Sequence, residues 1–383
     1  MPAEPLRVLM VAARYLPDMG GIEMHVDEVG KRLAKTGDFE ITVLATDRTR
    51  RRPRREVIEG VTVLRVPAWP SDRDYYLAPG IARVVGQRDR WDIVHCQGIH
   101  TPVPALAMLA ASRADTPYMV TFHTGGHTLA HRNALRAIQW RVIGPLLRKA
   151  ESLVAVSRFE ADALSAQAHL DGKPITVIRN GGTLPPPAPG TRVIPGRIVS
   201  PGRLERYKGH HRVIEALRDV IHGNPDAHLV ILGGGSYEAE LRRIAERCGV
   251  TDRVTITELP PAERQAMATA MTQASVVVTM SDYESQGISV LEALSLGRPV
   301  VGCDTTAIGE LVAEGLVRGV APDAPSSVIA QQILQAMSAP VTGALPGLPT
   351  WDTSAEELGD LYLSLAGRAR SPRLDRLGDG DPI

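Results

Sequence analysis

Two cations share one short stretch, Ser200-Pro-Gly-Arg203-Leu-Glu-Arg-Tyr-Lys208-Gly209, directly after an apolar run of strand type. Arg203 and Lys208 on the loop leaving a strand can neutralise a leaving diphosphate. Residues 181–383 hold seventeen arginines and a single lysine, Lys208. A chain so biased toward arginine keeps lysine where a compact ammonium matters, the plain alternative being a leftover surface lysine. A second stretch reads Glu284-Ser-Gln286-Gly287-Ile288-Ser289-Val-Leu-Glu292. Ser289 and Glu292 have capping-box spacing, which predicts a helix beginning at Ser289 with its free N–H groups ready for a diphosphate. Glu284 before the turn and Glu292 inside the helix can accept hydrogen bonds from sugar and ribose hydroxyls. The plainer readings are helix capping for Glu292 and a solvated loop acid for Glu284. His123 ends the apolar run 118–122 and can bond a sugar hydroxyl or the reacting centre, although a single histidine is more often structural. His127 is a weaker candidate. Gly20 and Gly21 open a helical pattern, where absent side chains let backbone approach a phosphate or simply permit a tight turn.

These residues need a frame that brings them together. Residues 7–13 form a short apolar run of buried parallel-strand type, followed by a turn, a helical pattern (Ile22, Val26, Val29, Leu33) and a second strand at 40–46. Strand patterns recur near 93–95, 118–122 and 153–156, so residues 1–183 read as an α/β, doubly wound, Rossmann-like domain. Three consecutive prolines and a fourth close behind make 184–196 a stiff linker and the expected hinge. The alternation restarts at 197–200 and runs through 228–232, 254–256, 274–278 and 299–301, predicting a second Rossmann-like domain over 197–350. A last helix is expected within 351–367, with a return to the first domain open to it, and 368–383, poor in apolar residues, reads as a disordered tail. Ligands of open α/β sheets bind at the carboxyl ends of the strands, so two such domains face each other across a cleft.

Composition excludes several classes. Forty-three basic residues balance 43 acidic ones, which argues against a nucleic-acid partner. Cys96, Cys248 and Cys303 are odd in number and far apart, which fits a reducing compartment and no zinc site. No signal-like start and no run of about 18 apolar residues is present, so a cytoplasmic location and no integral membrane association are expected. Asp72-Arg-Asp74 and Asp379-Gly-Asp381 have an Asp-x-Asp form that arises easily by chance, and no metal or cofactor is expected. Residues 48–55 pack six arginines into a loop, usually a solvated segment but capable of meeting an anionic acceptor or lipid surface.

In order along the chain these pieces resemble the family 4 retaining glycosyltransferases of the GT-B fold, from about residue 7 to 367. The resemblance rests on Gly20-Gly21-x-Glu23-x-His25-Val26, His123, Val156-Ser157, Asn180-Gly181, Gly202-Arg203 through Lys208-Gly209, and Glu284 to Glu292 with Gly297-x-Pro299-Val-Val301 behind. It implies a nucleotide-sugar donor, with Arg203 and Lys208 on the diphosphate and Glu292 on the ribose. It also implies that Glu284 and the backbone of Gln286, Gly287, Ile288 and Ser289 hold sugar and diphosphate, that Gly21 meets the distal phosphate, and that His123 meets a sugar hydroxyl. Transfer with retention and without a divalent ion is implied as well, because positive side chains and a helix N-terminus replace the metal. The chain departs from the family pattern at Ser285-Gln286, where an aromatic commonly precedes the glycine, at Gly182-Thr183, and at Gly234, where related chains often carry Asp. UDP is expected over GDP only as the commoner donor type.

Three other readings compete: a sugar-nucleotide epimerase, a phosphorylase using pyridoxal phosphate on Lys208, and a noncatalytic sugar-nucleotide-binding subunit. The acceptor is expected among loops 15–25, 75–80 and 123–132, is taken to be small and soluble, and is not identified by their residues. Nor does any residue set the oligomeric state.

Overall fold

The computed structural model describes residues 4–70, 76–124, 140–141, 143–167, 170, 172–260, 263–338, 345 and 347–367. Asp72, Asp74, His127 with the rest of residues 125–139, and residues 368–383 lie outside these.

Two parallel sheets build the molecule. The first contains β1 (Leu6–Val11), β2 (Phe39–Asp47), β3 (Arg55–Ile58), β4 (Val61–Pro67), β5 (Ile93–Gln97), β6 (Tyr118–Thr121), β7 (Ser152–Ala155) and β8 (Thr176–Val177), in the order β3-β4-β2-β1-β5-β6-β7-β8. Only β3 runs antiparallel to its neighbour. The second contains β9 (Arg197–Pro201), β10 (His228–Leu232), β11 (Val254–Thr257), β12 (Val276–Thr279), β13 (Val300–Cys303) and β14 (Arg318–Val320), all parallel, in the order β11-β10-β9-β12-β13-β14. Strand order reverses beside β1 in one sheet and beside β9 in the other, which makes these the switch points where doubly wound sheets open a crevice. Val8, Leu9, Met10 and Val11 are all fully buried. Helices cover both faces of each sheet, so a strand such as β1 needs apolar side chains on alternate and intervening positions alike.

The helix Trp351–Leu365 belongs to the first sheet's layer. Trp351, Leu358 and Tyr362 join a core with Leu6, Val8 and Val26, and the Tyr362 hydroxyl lies 2.6 Å from His95 Nδ1. The chain therefore crosses between the sheets twice, and the crossings touch. Gly182 N donates to Pro349 O at 3.2 Å, and a Cβ on Gly181 would sit 2.1 Å from Trp351 N. A Cβ on Gly182 would meet Leu291 Cβ at 2.3 Å, so this pair must be glycine for backbone and helix to approach. The stretch 184–196 lies against the second sheet's layer: Leu184 is buried in that core, Ala188 N donates to Thr269 Oγ1 and Ile194 N to Gln273 O. Among the described residues no helix is long and apolar enough to cross a membrane.

Candidate active site

At the second sheet's switch point, the loops leaving β9 and β12 bring Lys208 and Glu284 together, with Nζ 2.7 Å from Oε1. Both side chains are largely buried, at 16% and 15% exposure. Gly209 sets this loop: its φ is +70°, and a Cβ would stand 1.9 Å from Met280 O, so only glycine lets the turn press against the end of β12. Ser281 Oγ donates to the same Glu284 oxygen at 2.7 Å, and Glu284 N donates to Thr306 Oγ1 at 3.0 Å. Thr306 holds a left-handed φ of +52°, an uncommon conformation for a β-branched residue. Burial acts to lower the pKa of the Lys208 ammonium, but Glu284 and Tyr207 outweigh it and the net shift is upward. The group is held charged. Arg203 is more open, at 62% side-chain exposure; it pairs with Glu205 at 2.6 Å and donates to the Tyr207 hydroxyl at 2.7 Å.

The helix after Glu284 is Ile288–Ser295, with Gly287 as N-cap at φ +82° and no side-chain cap. This corrects the expected capping box. Ser289 does not begin the helix, and the carboxylate of Glu292 turns away from the helix start to pair with Arg264. Glu292 is 3% exposed, and burial raises its pKa against the opposing pull of Arg264. The amides of Ile288 and Ser289 thus keep the unsatisfied donors of a helix start, while Val290 N and Leu291 N donate to Gly287 O. The side chain of Gln286 faces inward, apart from the backbone that the resemblance assigns to the donor. Buried, it clamps the peptide of Asn180, accepting from Asn180 N at 2.8 Å and donating to Asn180 O at 2.9 Å.

The first sheet meets this surface at close range. A Cβ on Gly21 would lie 3.9 Å from Ile288 Cδ1, and Gly20 leaves room for the buried carboxylate of Glu23, 2.7 Å from where its own Cβ would be. Beyond β6, His123 has φ +48°, a strained backbone of the kind that clusters at functional sites. Its Nε2 lies 2.9 Å from Gln97 Oε1 and its ring packs edge-on against His25 at 4.6 Å. With the Gln97 amide oriented this way, His123 Nε2 is the donor and Nδ1 is left as an acceptor. Burial first, and the neighbouring His25 and His95 second, hold the His123 pKa well below the usual imidazole range, so the ring is neutral. Thr124 reaches across the cleft, its Oγ1 2.6 Å from the Tyr283 hydroxyl, while buried Glu160 holds Thr124 through its N–H and hydroxyl.

Sequence reasoning missed Gln97, Thr124, Glu160, Arg264 and Tyr283. Thr124 and Tyr283 carried a signal, since each adjoins a residue already singled out; the others come from distant segments. A pocket of about 340 Å³ beside Arg203 is lined also by Gly234, Ser236 and Tyr237. A Cβ on Gly234 would fall 2.6 Å from the carboxylate of Glu258, the residue that follows β11. Among the described residues no group of three or more His, Cys, Asp or Glu side chains is placed to hold a metal ion.

Two facing switch-point crevices, with a buried lysine and a helix N-terminus on one and a strained histidine on the other, define a nucleotide-sugar transferase of the GT-B type. Profiles of two families match the chain, "Glycosyltransferase Family 4" over residues 19–182 and "Glycosyl transferases group 1" over 191–343. The D-inositol 3-phosphate glycosyltransferase of Xylanimonas cellulosilytica is 30% identical, covering 94% of this chain and 97% of that protein. Sucrose-phosphate synthase from Thermosynechococcus elongatus superposes with a TM-score of 0.77 at 20% identity, over 94% of this chain and 99% of that one. HepE of Anabaena, solved with UDP and glucose, gives 0.67 at 19% identity, over 94% and 97%. The chain belongs to the family 4 glycosyltransferases: it is a retaining glycosyltransferase of the GT-B fold that takes a nucleotide-sugar donor and an acceptor.

Proposed function

We propose that this enzyme moves a hexosyl group, with retention, from a uridine-diphosphate sugar to a small polar acceptor held by loops of the first sheet, with no divalent ion or other cofactor. The observation that carries it is the buried contact of Lys208 with Glu284, at 2.7 Å, directly before the uncapped helix Ile288–Ser295. A charged ammonium and unsatisfied amides aimed at one crevice suit a diphosphate that gains negative charge as its bond to the sugar breaks. In this reading Lys208 and Arg203 take the diphosphate oxygens, the amides of Gly287, Ile288 and Ser289 take the distal phosphate with Gly21 opposite, and Glu284 orients the sugar. Glu292 holds the ribose, sharing its carboxylate with Arg264 or displacing it. His123 Nδ1 accepts a hydrogen bond from a sugar hydroxyl. The acceptor oxygen bonds to the anomeric carbon on the face the diphosphate leaves, and the departing phosphate oxygen takes the acceptor proton. Uridine is supported by the UDP in the Anabaena structure, and a cytoplasmic location by three free cysteines. The even charge balance supports a reaction without nucleic acid.

Calorimetry with UDP-, GDP-, ADP- and dTDP-sugars, with and without EDTA, tests this on wild type, Lys208→Ala and Glu292→Ala. EDTA-insensitive binding of the uridine class, lost in both variants, is the expected result. Binding that requires the metal would sink the metal-free mechanism, and binding of another class alone would sink the choice of base.

A further inference from the structure

The arginine run after β2 is not a solvated loop throughout. A cavity of about 340 Å³ is lined by Asp47, Arg50, Arg52, Arg54, Arg65 and Pro67. Four arginines and a single acid line it, in a chain whose overall charge is zero. That carboxylate is already committed: Asp47 accepts from Thr49 N at 2.8 Å, Thr49 Oγ1 at 2.7 Å and Arg52 N at 3.0 Å. Arg52 is held in a bidentate pair with Asp18, at 3.0 and 2.9 Å. Arg65, with 2% of its side chain exposed, pairs with Glu56 and donates to Leu16 O at 2.8 Å, yet its buried Nε has no hydrogen-bond partner. Among the described residues neither Arg50 nor Arg54 forms an ion pair, and both are exposed.

The place matters as much as the charge. Asp47 ends β2 and Pro67 ends β4, so the cavity opens at the carboxyl edge of the first sheet, the edge that faces the cleft. Asp18 and Leu16, which anchor Arg52 and Arg65, belong to the β1 loop that runs into Gly20 and Gly21. Guanidinium groups offer paired, fork-shaped donors that match phosphate oxygens, and crowded like charges are relieved by an anion between them. We propose that this cavity holds a phosphoryl group carried by the acceptor. The proposal rests on the transferase reading, since the donor's own diphosphate is taken up by Lys208 across the cleft.

The test uses the full chain saturated with UDP, so that the donor site does not compete. Wild type and the double variant Arg50→Gln, Arg54→Gln are titrated with inorganic phosphate and with glycerol 3-phosphate, and mixed with phosphatidylcholine vesicles with and without phosphatidic acid. Both arginines are exposed, so circular dichroism and the melting temperature should not change. The expected result is anion binding that weakens with added salt and falls at least about tenfold in the variant, with UDP affinity unaltered. Loss seen with the soluble phosphates marks a soluble acceptor, and loss seen only on the acidic vesicles marks a lipid headgroup. Equal binding by wild type and variant, or no binding in any arm while UDP still binds, overturns the proposal. Failure of UDP to bind is a failure of the donor reading alone; the phosphate titration repeated on Lys208→Ala then still decides the arginine cavity.

Discussion

The proposed mechanism gives Lys208 and Glu284 two duties that mutation can separate, one toward the fold and one toward the ligand. In Lys208→Met the carboxylate of Glu284 keeps only the Ser281 hydroxyl, and stability should drop by about 2 kcal/mol, less than for a fully buried pair because both groups retain some water. Adding Glu284→Gln removes the stranded charge and should restore most of that loss in urea unfolding. Turnover should not follow: with the ammonium meeting the diphosphate as proposed, kcat/KM is expected to stay about a hundredfold or more below wild type. Recovery of activity in the double variant would show that Lys208 serves the fold alone. The buried histidines give a second expectation. Burial lowers His25 and His210 to about 4 from an ordinary 6.5, so each is neutral in the fold and takes a proton more readily when unfolded. Their stabilisation is fully present above pH 6.5 and is lost as pH falls from there toward 4, by roughly 1.4 kcal/mol per histidine per pH unit at most. Urea midpoints should therefore decline between pH 7 and pH 5, before most carboxylates titrate; a flat profile across that window would contradict the burial of neutral imidazoles.

At the scale of the elements, two glycines at turns of the proposed donor site should behave oppositely. Gly209→Ala meets a φ of +70° and a backbone oxygen 1.9 Å from the new carbon, so the loop must shift; a loss of about 3 kcal/mol or more is expected in thermal melts. Gly21→Ala meets only Ile288 at 3.9 Å, inside a helix that prefers alanine. Its melting temperature should hold or rise while donor affinity falls, and unchanged affinity would mean that no phosphate approaches Gly21. The same contrast explains what was legible in the sequence. Strand-loop-helix alternation and residues at strand ends, such as Lys208, His123 and Glu284, are local patterns, and the structure has them where the alternation puts them. Gln97, Glu160 and Arg264 reach their partners from 26, 36 and 28 residues away, with no spacing rule to announce them. The helix start was misplaced for a related reason. Ser289 and Glu292 satisfy the capping pattern, but Gly287 takes the cap position with a left-handed backbone and Arg264 draws the glutamate off.

Across the whole molecule the two sheets are joined by specific contacts rather than by a loose tether. Gln286 holds both the N–H and the C=O of Asn180, Arg179 pairs with Glu314 at 2.6 Å, Thr124 meets Tyr283, Gly181 lies against the returning chain at Thr350 and Trp351, and Gly182 lies against Leu291. Gln286 sits one residue before Gly287, the N-cap of the helix proposed to receive the donor, so the clamp on Asn180 also sets where those amides stand relative to Gly21. Gln286→Leu keeps the volume but strips partners from a buried N–H and a buried carbonyl, each worth about 1–3 kcal/mol when left unsatisfied. The crossing is expected to relieve this by moving apart and admitting water. The radius of gyration in solution scattering should then increase, and donor affinity and kcat should fall together by about tenfold, because both depend on the same register between the domains. A variant with wild-type scattering and kinetics but a lower melting temperature would show that Gln286 ties down one domain without setting its position against the other.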